Sequence, residues 1–234
     1  MKADPRMALG AAFERCSTMD ASLRERLEAY SDAVRDLVPA YAKAVDELVA
    51  RLRGSGAGDS APQIGSAMPG FMLPDETGRL IALEDLLRQG PAAITFHRGH
   101  WCPWCRISLA ALSRAQGDIA RIGAQVAAIV PETQEYAAEF KTRVDTPFQI
   151  LTDIDNGYAL SINLAIWVGS ELQELLSSYG HSLPDYQAND GWMLPIPATF
   201  VVGRDGHVKA RFIDPDFRKR ASIEQLIGAL EAAA

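Results

Sequence analysis

Two of the chain's three cysteines lie in one stretch, TFHRGHWCPWC, Thr95–Cys105. Cys102 and Cys105 are separated by Pro103 and Trp104, a spacing that brings both side chains to nearly the same face of a helix's first turn. Cysteines so placed can clip a metal, form a structural disulfide, or work as a redox pair in which one sulfur attacks and the other closes on it. A zinc site takes about four ligands. Besides the pair only His100 is close, while Cys16, His97, His181 and His207 are scattered and no second C-x-x-C exists. No metal or other cofactor is therefore expected. A structural disulfide belongs to oxidising compartments, which leaves redox chemistry as the reading the spacing favours in a reducing one.

The elements around the pair must then hold one sulfur as a thiolate. Ala92–Phe96 is an apolar run of strand length, and Pro103–Ile122 reads as a helix. Cys102 stands where that helix begins, near unpaired N–H groups and the positive end of the helix dipole. Arg98 and a protonated His100 would act in the same direction and take the thiol below its free value of about 8.5. Cys102 is thus the expected nucleophile, with Cys105 resolving. Pro103 removes one N–H and sets φ for the helix start. Trp101 and Trp104 are expected to wall the site and exclude water, although either indole would serve equally well as core. A second constellation is LPIPATFVVGRDGHV (194–208). Pro197 must begin a strand or lie on an edge. An X-Pro bond is also where a cis peptide is cheap, and one beside a dithiol would leave backbone free to meet an incoming sulfur; an ordinary turn proline is the alternative.

Along the rest of the chain, apolar residues recur at helical spacing from Leu23 through Leu52, with Ser22 and Glu25 forming a capping box and Pro39 starting a second helix. Residues 1–53 are read as a helical N-terminal extension and 54–65, GSGAGDSAPQIG, as a flexible linker by composition. From residue 66 to 234 strands and helices alternate. FMLPDETGRLIAL (71–83) is a hairpin, Gln125–Val130 a strand, Glu132–Thr142 a helix and Phe148–Leu151 a strand. Ala198–Val202 and Val208–Phe212 flank an Asp-Gly turn, and a last helix starts at Ser222, with Gln225 completing its cap. SELQELLSSYG (170–180) is helical, whereas HSLPDYQANDGWMLP has the composition of an irregular loop. The pattern is α/β, a central sheet covered by helices on both faces.

The chain has 234 residues, with 23 Lys and Arg against 30 Asp and Glu, so its net charge is −7. The basic residues form no stripe, which speaks against a nucleic acid or an anionic membrane as partner and for a small diffusible substrate. No run approaches the roughly 20 apolar residues of a membrane span. Pro5 and the charges at Arg6, Glu14 and Arg15 interrupt the start of the sequence where a secretory signal would be apolar, so the expected location is the cytoplasm.

Strand, WCPWC, helix, strand, then IPATFVV and the GRDG hairpin resemble the thioredoxin fold. MPGFMLPDETGRLIALEDLL (68–87) ahead of them resembles the opening of its peroxiredoxin branch, specifically the peroxiredoxin-like group of the alkyl hydroperoxide reductase/thiol-specific antioxidant family, over about residues 66–233. That resemblance implies a thiol peroxidase acting on hydrogen peroxide or organic hydroperoxides and recycled by thioredoxin, glutathione or a similar reductant. The family's P-x-x-x-T-x-x-C pattern lays its reactive cysteine on Cys105, its threonine on Cys102 and its proline on Arg98, so two landmarks are changed and the nucleophile is the reverse of the one expected above. WCPWC is also similar to the C-P-x-C of glutaredoxins, which implies a disulfide oxidoreductase with Cys102 attacking. The acid buried beneath the dithiol of thioredoxins would fall at Phe96. The arginine that faces the reactive thiolate in peroxiredoxins carries over to Arg220, with Arg218 as second choice. A redox-sensing adaptor is a third possibility, and the tyrosine and leucine stripes of the extension suggest a homodimer.

Overall fold

A computed structural model describes residues 5–234. Three helices come first: α1 (Pro5–Thr18), α2 (Leu23–Leu37) and α3 (Pro39–Gly54). The Ser22–Glu25 capping box is present, and Pro39 opens α3 at its first turn, where its missing N–H would have had no helical partner. Their apolar stripes are buried within the chain. Leu27, Tyr30, Val34, Tyr41, Val45 and Leu48 belong to the same core cluster as both dithiol cysteines, so the residues that suggested a dimer face are occupied internally.

Residues 54–65 are not a free linker. They form successive turns, with Ala61 buried and the Arg211 guanidinium donating to Gly58 O at 2.7 Å and Ala61 O at 3.2 Å. Composition predicts flexibility only where no tertiary partner takes up the backbone carbonyls, and here one does. The hairpin expected at 71–83 follows as β1 (Met72–Pro74) and β2 (Leu80–Ala82), antiparallel, and runs into α4 (Leu83–Leu87).

The site-bearing part begins with β3 (Ala92–Phe96), α5 (Pro103–Arg114), α6 (Gln116–Arg121), β4 (Gln125–Val130), α7 (Gln134–Val144) and β5 (Gln149–Thr152). Next come α8 (Gly157–Ser161), β6 (Ala165–Trp167), α9 (Ser170–Ser178), α10 (Leu183–Gln187) and β7 (Met193–Pro195). The chain closes with β8 (Ala198–Val202), β9 (Val208–Ile213) and α11 (Ile223–Glu231), the last opened by the Ser222–Gln225 capping box. The central sheet has the order β5-β4-β3-β8-β9, parallel across β3, β4 and β5 and antiparallel across β3, β8 and β9. β3 lies in the middle with all five residues buried, as an uninterrupted apolar run requires when both faces are covered. The expected helix 103–122 is divided at Ala115 into α5 and α6. The stretch read as an irregular loop contains α10, capped by Ser182, and β7, which pairs with β6.

Among the described residues no helix is long and apolar enough to cross a membrane.

Candidate active site

β3 delivers the dithiol. Its C-terminal end leads through His97, Arg98, Gly99, His100 and Trp101 to Cys102, which caps α5, and Cys105 lies one turn into the helix. Both cysteines are fully buried and unbridged. Cys105 collects donors from separate parts of the chain. The Arg98 backbone N–H lies 3.3 Å from its Sγ, and Arg220 Nη2 is 3.5 Å away. The His97 imidazole lies close enough to lower the Cys105 thiol, while its Nε2 meets Thr95 Oγ1 at 3.1 Å.

These contacts distinguish the two sulfurs. Burial alone would push both thiols up. For Cys105 that penalty is outweighed by the neighbouring Cys102 thiol, by His97 and by the Arg220 charge, which hold it well below the usual thiol range. For Cys102 burial acts together with the neighbouring Cys105 thiolate, and the charge of Arg98 and the Cys105 N–H do not compensate, so it stays well above that range. Two adjacent sulfurs cannot both ionise at little cost, and the charge settles where the donors are. The start of α5 favours a thiolate at either position; the tertiary donors gather on Cys105.

The remaining expected residues fall as follows. Arg220 reaches the site as the family register implies, while Arg218 is held by Asp216 and Asp46, each at 2.7 Å. The Arg98 guanidinium, 2 % exposed as a residue, is packed between the rings of Phe217 at 3.7 Å and Trp101 at 4.9 Å. His100 is not exposed. It turns to Glu132, with Nδ1 2.7 Å from Oε1 and its backbone N–H 2.8 Å from Oε2, and stacks on Tyr136. Gly99 makes that turn possible: its φ of 131° is poorly accessible to other residues, and a Cβ there would run into the Glu132 carboxylate.

Trp104 is core, in edge contact with Tyr30 and Phe217, and its Nε1 donates to Ser31 Oγ at 2.9 Å. Trp101 packs beside His181 and against the Arg98 guanidinium. Pro103 occupies the first helical position. Pro197 precedes β8 with a trans peptide bond, as do all the described prolines, so it is an ordinary strand-start proline. Cys16 packs in the core cluster from α1. Among the described residues no three His, Cys, Asp or Glu side chains form a metal-binding group.

Sequence reasoning missed Glu132 as a site residue and counted His97 only as a scattered histidine. Both stand just past the C-terminal ends of adjacent parallel strands, β4 and β3, where α/β sheets gather their sites, and that position is a readable signal. Burial holds the Glu132 carboxyl above the ordinary range against the pull of His100.

The AhpC/TSA family model matches residues 64–211. No curated protein matches the chain significantly in sequence. Among solved structures, the peroxidoxin BcpB of Mycobacterium tuberculosis is similar at 19% identity and TM-score 0.58, over 74% of this chain and 99% of its own. Peroxiredoxin 6 of Arenicola marina aligns at 17% identity and TM-score 0.56, over 72% of each chain. A yeast mitochondrial 1-Cys peroxiredoxin, described for thiol resolution through glutathione/thioredoxin systems, aligns at 16% identity and TM-score 0.54, over 70% of this chain and 73% of its own. These likenesses establish the thioredoxin-like fold.

Proposed function

The chain belongs to the AhpC/TSA family, and from that premise we propose that it is a thiol peroxidase in which Cys105 attacks and Cys102 resolves. The observation that carries this reading is the convergence of the Arg98 N–H and the Arg220 guanidinium on the Cys105 sulfur. The Cys105 thiolate attacks one peroxide oxygen: an S–O bond forms, the O–O bond breaks, and the departing oxygen takes a proton to leave as water or an alcohol. Arg220 stays charged throughout and stabilises both the thiolate and the negative charge that develops on oxygen. Cys102 then loses its proton and attacks the sulfenic sulfur; an S–S bond forms, the S–O bond breaks, and hydroxide leaves as water with a proton. Two electrons from an external dithiol, or from two monothiols, of the thioredoxin or glutathione type restore both thiols by exchange.

Both sulfurs are buried in the reduced protein, which favours a small oxidant for the first step, and exchange with a protein reductant requires the turn that carries the disulfide to open. The test is consumption of hydrogen peroxide and organic hydroperoxides by the reduced protein with a thioredoxin system, for wild type, Cys102→Ser and Cys105→Ser. The expected result is a sulfenic acid trapped on Cys105 in Cys102→Ser and no consumption by Cys105→Ser. Reduction of a test disulfide without peroxide consumption would overturn the proposal.

A further inference from the structure

The Arg98 guanidinium is a buried charge without a carboxylate partner among the described residues, and neither its Nη1 nor its Nη2 has a hydrogen-bond partner among them. The ring faces of Phe217 and Trp101, at 3.7 and 4.9 Å, hold it in place, an attraction too small to replace the lost water. Tyr41 of α3 lies close enough to feel the charge, but burial raises that phenol, so it stays neutral and supplies no counter-charge. An unpaired buried cation is costly and calls for a reason.

Each sulfur has an arginine of its own. Arg220 reaches Cys105 Sγ. Arg98 is placed for Cys102: the ring it lies on, Trp101, directly precedes Cys102, and residues 99–102 close in a turn through the Cys102 N–H and Gly99 O at 3.2 Å. Its charge, with the Cys105 N–H, is what opposes burial at the Cys102 thiol. In the reduced protein that opposition fails, because the Cys105 thiolate adds a like charge. Attack on peroxide removes the like charge, since a sulfenic acid is neutral. The influence that keeps Cys102 protonated thus disappears just before Cys102 must ionise.

We propose that Arg98 is the counter-ion of the Cys102 thiolate in the resolving step, unpaired in the resting protein because its partner forms only after Cys105 is oxidised. The inference rests on the peroxidase reading and assigns a residue to its second half. Arg98 stands where the family pattern has proline, so nothing in that pattern gives it this task. In the step, the Cys102 S–H gives up its proton and the sulfur attacks the sulfenic sulfur; the S–S bond forms as the S–O bond breaks, and hydroxide leaves with the proton as water. No outside oxidant or reductant enters. The other titratable groups that face Cys102 are Cys105, Tyr30, Tyr41 and Arg106. Burial raises both phenols, and Arg106 turns its guanidinium to the Phe13 ring at 4.0 Å.

The test separates the charge from the chemistry. Thiolate ultraviolet absorbance is followed against pH in Cys105→Ser, where position 105 is neutral as in the sulfenic acid, and in Cys105→Ser/Arg98→Met, where an apolar stem still fills the space between the rings. Cys102 is expected to titrate about one unit or more higher in the second, the scale on which a nearby opposite charge acts. In parallel, stopped-flow tryptophan fluorescence after one equivalent of hydrogen peroxide resolves attack from disulfide formation in wild type, Arg98→Met and Arg98→Lys. Less thiolate at neutral pH, partly offset by its greater nucleophilicity, should slow disulfide formation roughly three- to tenfold in Arg98→Met, and by more than any slowing of attack. Arg98→Lys keeps a charge and should recover part of the loss. Where Arg98→Met fails to fold, the neutral Arg98→Gln takes its place in both measurements. Equal slowing of both phases, or no recovery in Arg98→Lys, overturns the proposal in favour of a packing role. An unmoved Cys102 titration overturns it whatever the peroxidase activity. No consumption of peroxide by wild type overturns the peroxidase reading and the resolving role with it, while the titration still decides whether Arg98 and Cys102 pair.

Discussion

Cys102 and Cys105 sit three residues apart in one helical turn, equally buried, and yet their surroundings push their thiols in opposite directions. The field at the start of α5 is common to both, so it cannot separate them. What separates them comes from elsewhere in the chain: a backbone N–H and an imidazole from the end of β3, and the guanidinium of Arg220 from the segment before α11. Local position makes a thiolate possible at either sulfur, and the tertiary donors that could choose between them gather on Cys105.

The strongest way to break this comparison is to remove one sulfur at a time. Cys105→Ser should lower peroxide consumption by about 10³-fold or more, since no other group replaces a lost nucleophile. Cys102→Ser should keep one fast turnover and then stop, or continue slowly if an external thiol resolves the sulfenic acid. Stopped-flow kinetics at a single equivalent of peroxide distinguishes the two. A burst in Cys105→Ser and none in Cys102→Ser would invert the assignment.

Next in size is the arginine. Arg220→Met keeps much of the side-chain length and removes the charge, so the Cys105 titration should move to higher pH and the attack on peroxide should slow by roughly 10²-fold, the usual scale for removing one oriented donor. Because the Cys105 pKa is lowered in the wild type, its rate should rise with pH and level off below the ordinary thiol value, while the variant should still be rising there. Thiolate ultraviolet absorbance and the rate, followed together against pH, provide the check. Coincident titrations in both proteins would exclude Arg220 as the source of the difference.

How much of this was legible in the sequence divides along the same line. Local rules read well: the capping boxes at Ser22 and Ser222, the Asp75–Gly78 turn, Pro39 at a helix start, and the buried run of β3 depend on neighbours within four residues. Arg220 was legible only through the family resemblance, since nothing within its own segment marks it apart from the paired Arg218. The partner of His100 is not legible locally, because Gly99 turns it toward Glu132, thirty-two residues on. The pairing of β6 with β7 spans about thirty residues, a distance over which composition carries no register.

A smaller effect should appear in stability. With the Cys105 pKa lowered in the folded state, the unfolded chain keeps a proton that the native protein has already lost between that lowered value and about 8.5. Stability of the reduced protein should therefore rise with pH through this window, by up to about 1.4 kcal/mol per unit, and be lost again as pH falls through the folded value. Cys102 has the opposite sign: its folded pKa is raised, so its contribution is present below about 8.5 and declines above it. Denaturant titrations at several pH values should show the rising limb in wild type and not in Cys105→Ser.

The smallest effect asks whether the extension takes part in the choice between the sulfurs or only supports the turn that carries them. Ser31→Ala leaves the Trp104 indole N–H without its acceptor inside the core, which should cost about 1–3 kcal/mol in denaturation. Trp104 sits between the two cysteines in sequence, so a loosened indole is the most direct mechanical path from α2 to the dithiol. None of the donors on Cys105 comes from the extension, however, and the thiolate titration of Ser31→Ala should match that of wild type even as its stability falls. A lower stability with an unmoved titration would confine the choice of nucleophile to the end of β3 and the segment before α11. A titration that moved as well would mean that α2 holds the first turn of α5 in the register its donors require.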